Sequence, residues 1–119
     1  MPIINGIESI PEFYNILQNN KRAVILKFGA EWCAPCRKIE NFVHTWFEYI
    51  ETNHPDIQLI YIDVDESFEI YAHLKTKKMI QGIPAMLAYY PGNTSYVFDE
   101  AVSGTDENAI RLFFEEVTS

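Results

Sequence analysis

The only two cysteines of the chain, Cys33 and Cys36, are separated by two residues in the segment WCAPC. A disulfide across so short a loop removes little conformational entropy from the unfolded chain, so it would stabilise a fold only weakly. Two thiols at this spacing can instead exchange disulfides with another molecule, or they can supply two ligands to a metal ion. The spacing therefore favours a reactive or metal-binding pair over a structural crosslink.

The cysteine pair follows a predicted buried strand and opens a predicted helix. The apolar run from Ala23 to Phe28 is typical of a strand that is covered on both faces of a sheet. A helix from about Cys33 or Ala34 to about Glu51 is indicated by apolar residues at a spacing of three to four. These residues, all interpreted as core, are Cys36, Ile39, Val43, Trp46, Phe47 and Ile50. A Cys-x-x-Cys segment between such a strand and such a helix is the layout of a thiol–disulfide active site.

Each residue type in this segment suits that chemistry. Unpaired backbone N–H groups and the positive end of the helix dipole favour a thiolate at a helix N-terminus, so Cys33 is the predicted nucleophile, with a thiol pKa below that of free cysteine. Cys36 lies one turn into the helix on its inward face, where it can resolve a mixed disulfide. Pro35 suits the first helical turn and stiffens the pair. Trp32 is expected to be at least half exposed, where it can cover the thiols and contact a substrate.

A second signal is the dipeptide Ile83-Pro84, which precedes a predicted strand from Ala85 to Tyr90. A proline at the start of a strand is a place where a cis peptide bond can occur, although the sequence leaves the isomer open. This arrangement would leave the backbone of Ile83 free to pair with an extended peptide substrate.

The elements alternate along most of the chain and end in a hairpin followed by a helix. Strands are predicted at residues 2–5, 23–28, 57–64, 85–90 and 95–102. Besides the helix of the cysteine segment, helices are predicted to begin near Ser9, Ser67 and Thr105, the last with Thr105 as its cap. The third helix is expected to have an apolar side formed by Phe68, Ile70, Tyr71 and Leu74. This order predicts one α/β domain over residues 1–119, with a mixed five-stranded sheet flanked by four helices.

Composition narrows the classes of function. Apolar residues make up 48% of the chain and aromatic residues 14%, which is enough for a hydrophobic core without crosslinks. The net charge of −8 argues against binding of nucleic acid, which needs a basic surface, and against docking on an anionic membrane. No apolar run is long enough for a membrane span, and residues 1–9 lack a basic region followed by an apolar core. An intracellular protein is therefore expected, and a secreted product trimmed of its leader stays open.

The segment EWCAPCRK, from Glu31 to Lys38, resembles the active site of the thioredoxin family, in which glycine usually stands at the position of Ala34. Gly82-Ile83-Pro84 resembles the cis-proline motif of the same family, and Gly104 matches the glycine beside its substrate groove. The order of elements is similar to that of the family from about residue 2 to residue 117. Glutaredoxins fit less well, because they usually carry Pro-Tyr between the cysteines and lack this tryptophan.

The resemblance implies a thioredoxin-like fold and a protein-disulfide reductase in which Cys33 is the nucleophile and Cys36 the resolving cysteine. The substrate groove of the family would be formed near Trp32, Ile83, Pro84 and Gly104. The resemblance implies no cofactor beyond the redox-active Cys33–Cys36 disulfide, and no metal. The expected partners are proteins with disulfides and a recycling reductase such as a thioredoxin reductase, with no nucleic acid and no membrane. A cytoplasmic monomer that serves electron transport and cell redox homeostasis is expected.

The chain departs from the family's pattern close to the thiols. The family usually has a buried acid that relays a proton to the resolving cysteine, and this chain has Lys27 at that position. The family's lysine that partners the acid is replaced in this chain by Tyr61. A cationic Lys27 would favour thiolates and raise the reduction potential, whereas a lysine deprotonated by burial could itself serve as the relay. Alternatively, Lys27 pairs with a carboxylate such as Asp63, or extends to solvent. Lys27, Pro35 and Pro84 are the residues expected to tune the redox pair.

Three other interpretations stay open from the sequence. A zinc site would need ligands besides the two thiols, and His44, His54 and His73 are not at useful spacing to one another. A binding or chaperone module with little turnover could keep the groove, but such modules commonly lose a cysteine. A dithiol oxidase or isomerase would fit a cationic Lys27, whereas the intracellular character and the Ala-Pro dipeptide favour a reductase.

Overall fold

The computed structural model of the protein describes all 119 residues. The strands are β1 (Ile4–Asn5), β2 (Ala23–Gly29), β3 (Ile57–Asp63), β4 (Ala85–Tyr89) and β5 (Glu100–Ser103). The helices are α1 (Ile10–Gln18), α2 (Ala34–Asn53), α3 (Phe68–Thr76) and α4 (Glu107–Thr118). None of these helices combines the length and the apolar character that a membrane span requires. The predicted fold class, with its five strands and four helices, is confirmed.

The five strands form one mixed sheet in the order β1-β3-β2-β4-β5. β3 is parallel to both β1 and β2, whereas β4 is antiparallel to both β2 and β5. All seven residues of β2 are buried, as expected for a central strand with helices on both faces of the sheet. The sheet therefore places the end of β2, and the cysteine segment that follows it, between β3 and β4.

Alternate residues of β2 face two separate hydrophobic clusters, one on each side of the sheet. Even-numbered residues 24–28 pack with α1 and α3, while Ala23 and Ile25 pack with α2 and α4. Lys27 follows the alternation of Ala23 and Ile25, so its side chain enters the α2 side of the sheet. The one charged residue of β2 is thus brought to the face that carries Cys36.

Helix α2, with 20 residues, positions the cysteine segment. Its buried face consists of Cys36, Ile39, Val43, Phe47 and Ile50. Trp46, which its helical spacing predicts to be core, is only partly buried, and it stacks on Phe114 of α4 with ring centroids 5.1 Å apart. Because the helix packs on the sheet and on α4, its N-terminus is held at the carboxyl end of β2.

The predicted strand at residues 95–102 is wrong for residues 95–99, because β5 begins only at Glu100. Polar side chains before β5 bond to the nearby backbone. The Asn93 side chain accepts a hydrogen bond from Ser95 N and donates one to Val97 O, and Ser95 Oγ accepts one from Val97 N. These local bonds compete with strand pairing and keep this segment bent.

Two helix predictions are also corrected. Asp106, rather than Thr105, caps α4, because its Oδ1 accepts hydrogen bonds from two backbone N–H groups of the first turn. A carboxylate at this position also suits the positive end of the helix dipole. The sequence predicts Phe68 on the apolar side of α3, but its side chain is exposed. It lies about half a turn away from Ile70, which with Leu74 forms the buried side of that helix.

Candidate active site

Cys33 and Cys36 are joined in a disulfide at the start of α2, with their Cα atoms 5.3 Å apart. Cys33 is the N-cap residue of the helix, and its Sγ accepts a hydrogen bond from Cys36 N at 3.2 Å. Only 5% of Cys33 and 3% of Cys36 is exposed. The helix N-terminus therefore directs a backbone N–H at the Cys33 sulfur, where it would stabilise the negative charge of a thiolate.

Trp32 precedes the pair and is 67% exposed, so its ring is free to contact another molecule. Its indole Nε1 donates a hydrogen bond of 2.7 Å to Asp65 Oδ2. Asp65 lies in the turn after β3, which Asp63 supports by accepting hydrogen bonds from two backbone N–H groups. Sequence reasoning missed the role of Asp65, because it lies 33 residues from Trp32 and no local pattern relates the two.

The loop before β4 lies against Cys33. The Ile83–Pro84 peptide bond is cis, and Cys33 Sγ is 4.0 Å from the carbonyl oxygen of Ile83. Gly104, just after β5, donates its backbone N–H to Pro84 O at 3.0 Å, and its φ of +90° lies in the region that favours glycine. A Cβ at Gly104 would meet no other part of the chain within 4 Å, so the surface there is open. The Gly104 N–H thus ties the end of β5 to Pro84, next to the residue whose carbonyl oxygen lies beside Cys33.

Lys27 lies on the inner side of the pair, beside Cys36. A Cβ added to Gly29 would lie 3.1 Å from Lys27 Nζ and 3.6 Å from Cys36 Sγ, so the amine and the sulfur border the same small space. Both residues also line a pocket of about 420 Å³, together with Glu40, Tyr61 and others. The alternation of β2 and the helical position of Cys36 therefore bring a basic side chain to the resolving cysteine.

Lys27 is only 8% exposed, so it does not extend into bulk solvent. No carboxylate lies within 4.0 Å of its Nζ, and the three ion pairs of the chain involve other residues. Asp63, considered as its partner, instead binds the backbone of the turn after β3. Burial lowers the pKa of Lys27, and the negative charge of Glu40 partly offsets this effect.

Tyr61 lies beside Lys27 on the neighbouring strand, because the parallel register of β2 and β3 pairs the two residues. Its hydroxyl is 3.2 Å from His44 Nδ1. Burial, reinforced by the charges of Glu40 and Glu48, raises the pKa of Tyr61 to about 12. The phenol is therefore neutral near pH 7 and does not balance the charge of Lys27.

Glu40 was not identified from the sequence, although a signal for it exists. It lies four residues after Cys36 on α2, and residues at that spacing share one face of a helix. Because Cys36 faces the sheet, a carboxylate at this spacing lies close enough to interact electrostatically with a sheet side chain that lies beneath Cys36. In this fold that group is Lys27.

Each of the three histidines has a hydrogen-bond partner other than a cysteine. The ring nitrogens of His44, His54 and His73 lie 3.2, 2.8 and 2.9 Å from side-chain atoms of a tyrosine, an arginine and a second tyrosine. No group of three or more His, Cys, Asp and Glu side chains is placed to hold a metal ion.

The sequence of this chain is similar to a family model and to several known proteins. A family model described as Thioredoxin matches residues 7–115. Thioredoxin 3 of Plasmodium falciparum is 29% identical over 108 residues, which cover 91% of this chain and 54% of that protein. Thioredoxin of Ophiophagus hannah is 29% identical over 112 residues, which cover 93% of this chain and 99% of that protein. The chain thus spans about half the length of the first relative and nearly all of the second.

Solved structures show the same fold. The structure of Plasmodium falciparum thioredoxin is 27% identical, with a TM-score of 0.70 over 95% of this chain and 98% of that one. The structure of Trichomonas vaginalis thioredoxin is 20% identical, with a TM-score of 0.74 over 97% of this chain and 96% of that one.

Proposed function

The chain belongs to the thioredoxin family, and from that membership we propose that it reduces disulfide bonds of protein substrates through the dithiol of Cys33 and Cys36. The observation that carries this function is the disulfide between these residues at the N-terminus of α2. A cysteine pair that closes at this position gives up two electrons, which are the two electrons that a substrate disulfide needs. The dithiol supplies them itself, so thiol–disulfide exchange here needs no cofactor.

In the first step, the thiolate of reduced Cys33 attacks one sulfur of the substrate disulfide. A bond between Cys33 Sγ and that sulfur forms as the substrate S–S bond breaks. The second substrate sulfur leaves as a thiolate and takes a proton from solvent. The hydrogen bond from Cys36 N supports this assignment, because it stabilises the charge of the attacking sulfur.

In the second step, the thiolate of Cys36 attacks Cys33 Sγ of the mixed disulfide. The Cys33–Cys36 bond forms, and the remaining substrate sulfur leaves and is protonated by solvent. Two electrons have then passed from the dithiol to the substrate. The Cα separation of 5.3 Å in the disulfide supports this step, because it lies within the range of ordinary disulfides.

The substrate is proposed to bind along a groove formed by Trp32, Ile83, Pro84 and Gly104. An extended peptide that pairs with the backbone of Ile83 would pass next to the nucleophile, because the Ile83 carbonyl oxygen is 4.0 Å from Cys33 Sγ. The exposed ring of Trp32 offers apolar contact, and the open surface at Gly104 leaves room for the peptide.

Pro35 and Pro84 are proposed to influence the reduction potential of the cysteine pair, because proline has no backbone N–H to donate to a sulfur. Pro35 lies in the first turn of α2 and cannot donate, so Cys36 supplies the N–H that reaches Cys33 Sγ. Pro84 is buried beside Ile83 and offers no donor toward the thiols. Fewer donors near the sulfurs mean less stabilisation of the thiolates, which favours the disulfide.

A recycling reductase, such as a thioredoxin reductase, is proposed to return the oxidised pair to the dithiol. The cytoplasm is the proposed location, since thiols are kept reduced there. The protein is proposed to act as a monomer, because its large exposed hydrophobic residues are spread over three helices and two loops. These residues are Trp32, Tyr49, Phe68, Val97 and Leu112.

The test of this function is the reduction of insulin by dithiothreitol, followed as the turbidity of the precipitating insulin chain. The protein is expected to accelerate the reaction at catalytic concentrations, because it cycles between dithiol and disulfide. A reaction no faster than that with dithiothreitol alone would contradict the proposal and favour a binding module with little turnover.

Trp32→Ala is expected to lower kcat/KM for insulin by about tenfold, mainly through KM. An aromatic anchor at a contact surface contributes about 1–2 kcal/mol to binding, and 1.4 kcal/mol corresponds to a factor of ten. Tyr49→Ala is the matched control, because it removes an exposed aromatic ring from α2 far from the cysteines. Equal losses in the two variants, or none in Trp32→Ala, would mean that Trp32 does not bind substrate.

In the reduced protein, the pKa of the Cys33 thiol is expected to lie below the value of about 8.5 for free cysteine. The N-cap position and the hydrogen bond from Cys36 N both favour the thiolate. The rate of alkylation by iodoacetamide, measured against pH in the Cys36→Ser variant, reports this thiol alone. A midpoint at or above that of free cysteine would be the contrary result.

A further inference from the structure

Lys27 is a buried basic group that the two exchange steps leave without a role. Its Nζ and Cys36 Sγ both lie within 4 Å of one point beside Gly29. Cys36 is the thiol that must ionise in the second step, and it is 3% exposed. Burial by itself disfavours a thiolate, so a nearby charge decides whether this residue can attack.

Resting on the proposed function, we propose that the ammonium group of Lys27 stabilises the thiolate of Cys36 and thereby activates the resolving cysteine. Lys27 is a positioning residue in this scheme, because it acts on Cys36 and touches no substrate. The thiol proton of Cys36 leaves to solvent through the adjoining pocket, whose volume of about 420 Å³ has room for water. Lys27 keeps its own proton throughout.

The groups that face Lys27 leave its charge free to act on Cys36. They are Glu31 from the loop after β2, Arg37 and Glu40 from α2, and Tyr61 and Asp63 from β3. Tyr61 is neutral near pH 7, since its pKa is raised to about 12. The carboxylates of Glu31 and Asp63 both lie beyond salt-bridge distance of Lys27. Asp63 accepts hydrogen bonds from the backbone of the turn after β3, and Arg37 donates to the carbonyl oxygen of Glu31. Glu40 acts on Lys27 without reaching salt-bridge distance.

The protonation of Lys27 depends on three effects. Burial lowers its pKa, and Glu40 opposes that effect. A thiolate on Cys36 adds a second negative charge close to the amine, which favours the ammonium form further. Because each charge stabilises the other, Lys27 and Cys36 titrate as a coupled pair, and the ammonium is the form present when the thiolate attacks.

This arrangement also bears on the redox equilibrium. A charge that stabilises thiolates lowers the free energy of the reduced pair relative to the disulfide, so it raises the reduction potential. The effect requires ionised thiols and therefore disappears at a pH below their pKa values. A pH-dependent contribution to the potential separates this role from simple packing.

The experiment follows the ionisation of Cys36 in the Cys33→Ser variant, which has a single thiol. Labelling cysteine with carbon-13 gives one NMR signal, whose shift with pH reports the pKa. Adding Lys27→Met is expected to raise the pKa of Cys36 by about one unit or more, and adding Lys27→Arg should largely preserve it. Lys38→Met, which removes an exposed charge from α2, is the control and should have little effect. Lys27→Gln replaces Lys27→Met should the latter fail to fold.

The second measurement uses the protein with both cysteines, equilibrated with glutathione. At pH 9, Lys27→Met is expected to shift the equilibrium by about tenfold toward the disulfide, which is about 30 mV, with a smaller shift at pH 6. A Cys36 pKa unchanged in Lys27→Met, or raised equally by Lys38→Met, would overturn the inference. The insulin assay with the native chain is a separate test. Absence of insulin reduction would contradict the proposed function, whereas the Cys36 titration tests only the role of Lys27.

Discussion

Cys33→Ser is expected to return insulin reduction to the uncatalysed rate, a loss in kcat/KM of about a thousandfold or more. Serine keeps the N-cap position of α2 and nearly the size of the side chain. Its hydroxyl group does not ionise near neutral pH and does not attack a disulfide, so the first step is lost. The turbidity assay measures this loss, and thermal unfolding shows whether the variant is folded.

Cys36→Ser is expected to stop turnover at a different point. The first step remains possible, so a covalent complex between Cys33 and a substrate cysteine should accumulate and should be visible by mass spectrometry without reductant. Thr45→Ser, a conservative change at an exposed position of α2, should keep full activity. Turnover retained by Cys33→Ser would contradict the scheme as a whole. A complex trapped through Cys36 in Cys33→Ser, but not through Cys33 in Cys36→Ser, would reverse the order of attack.

Phe47→Ala is expected to lower the free energy of unfolding by about 3–5 kcal/mol. The side chain is 0% exposed, and its ring packs between Tyr61 of β3 and Phe114 of α4, with centroid distances of 4.7 and 6.1 Å. Removing the ring opens a cavity where α2, the sheet and α4 meet, and it removes the contacts that hold the cysteine helix in place. Urea denaturation followed by circular dichroism measures the change.

Glu51→Ala is the control for this prediction, because it changes an exposed residue of the same helix that has no ion pair. Its effect on the free energy of unfolding should stay within about 0.5 kcal/mol. If Phe47→Ala costs no more than this control, then Phe47 does not anchor α2 on the sheet.

Several features of this protein are local in sequence, and these were predictable. The spacing of Cys33 and Cys36 indicated exchange chemistry, because a loop of two residues has little use as a crosslink. The apolar run of β2 and the helical stripe of α2 depend on neighbours within a few residues, so both elements were found within two residues of their observed ends. The late start of β5 also has a local cause, because the side chains of Asn93 and Ser95 bond to the nearby backbone and compete with strand pairing. The sequence pattern does not show which of the two arrangements is lower in free energy, so the strand was predicted to begin too early.

The sequence by itself determined the order of elements, the two reactive cysteines and the loop carrying Ile83 and Pro84, because these follow from periodicity and from residue type. Only the tertiary structure decided what surrounds Lys27. From the sequence, Lys27 could pair with Asp63, extend to solvent, act as an unpaired cation beside the thiols or serve as a proton relay. The register of β2 against β3 placed Tyr61 beside it, and the packing of α2 placed Cys36 over it. Such contacts join residues far apart in the chain, so they depend on the whole sheet and its helices rather than on any stretch of sequence.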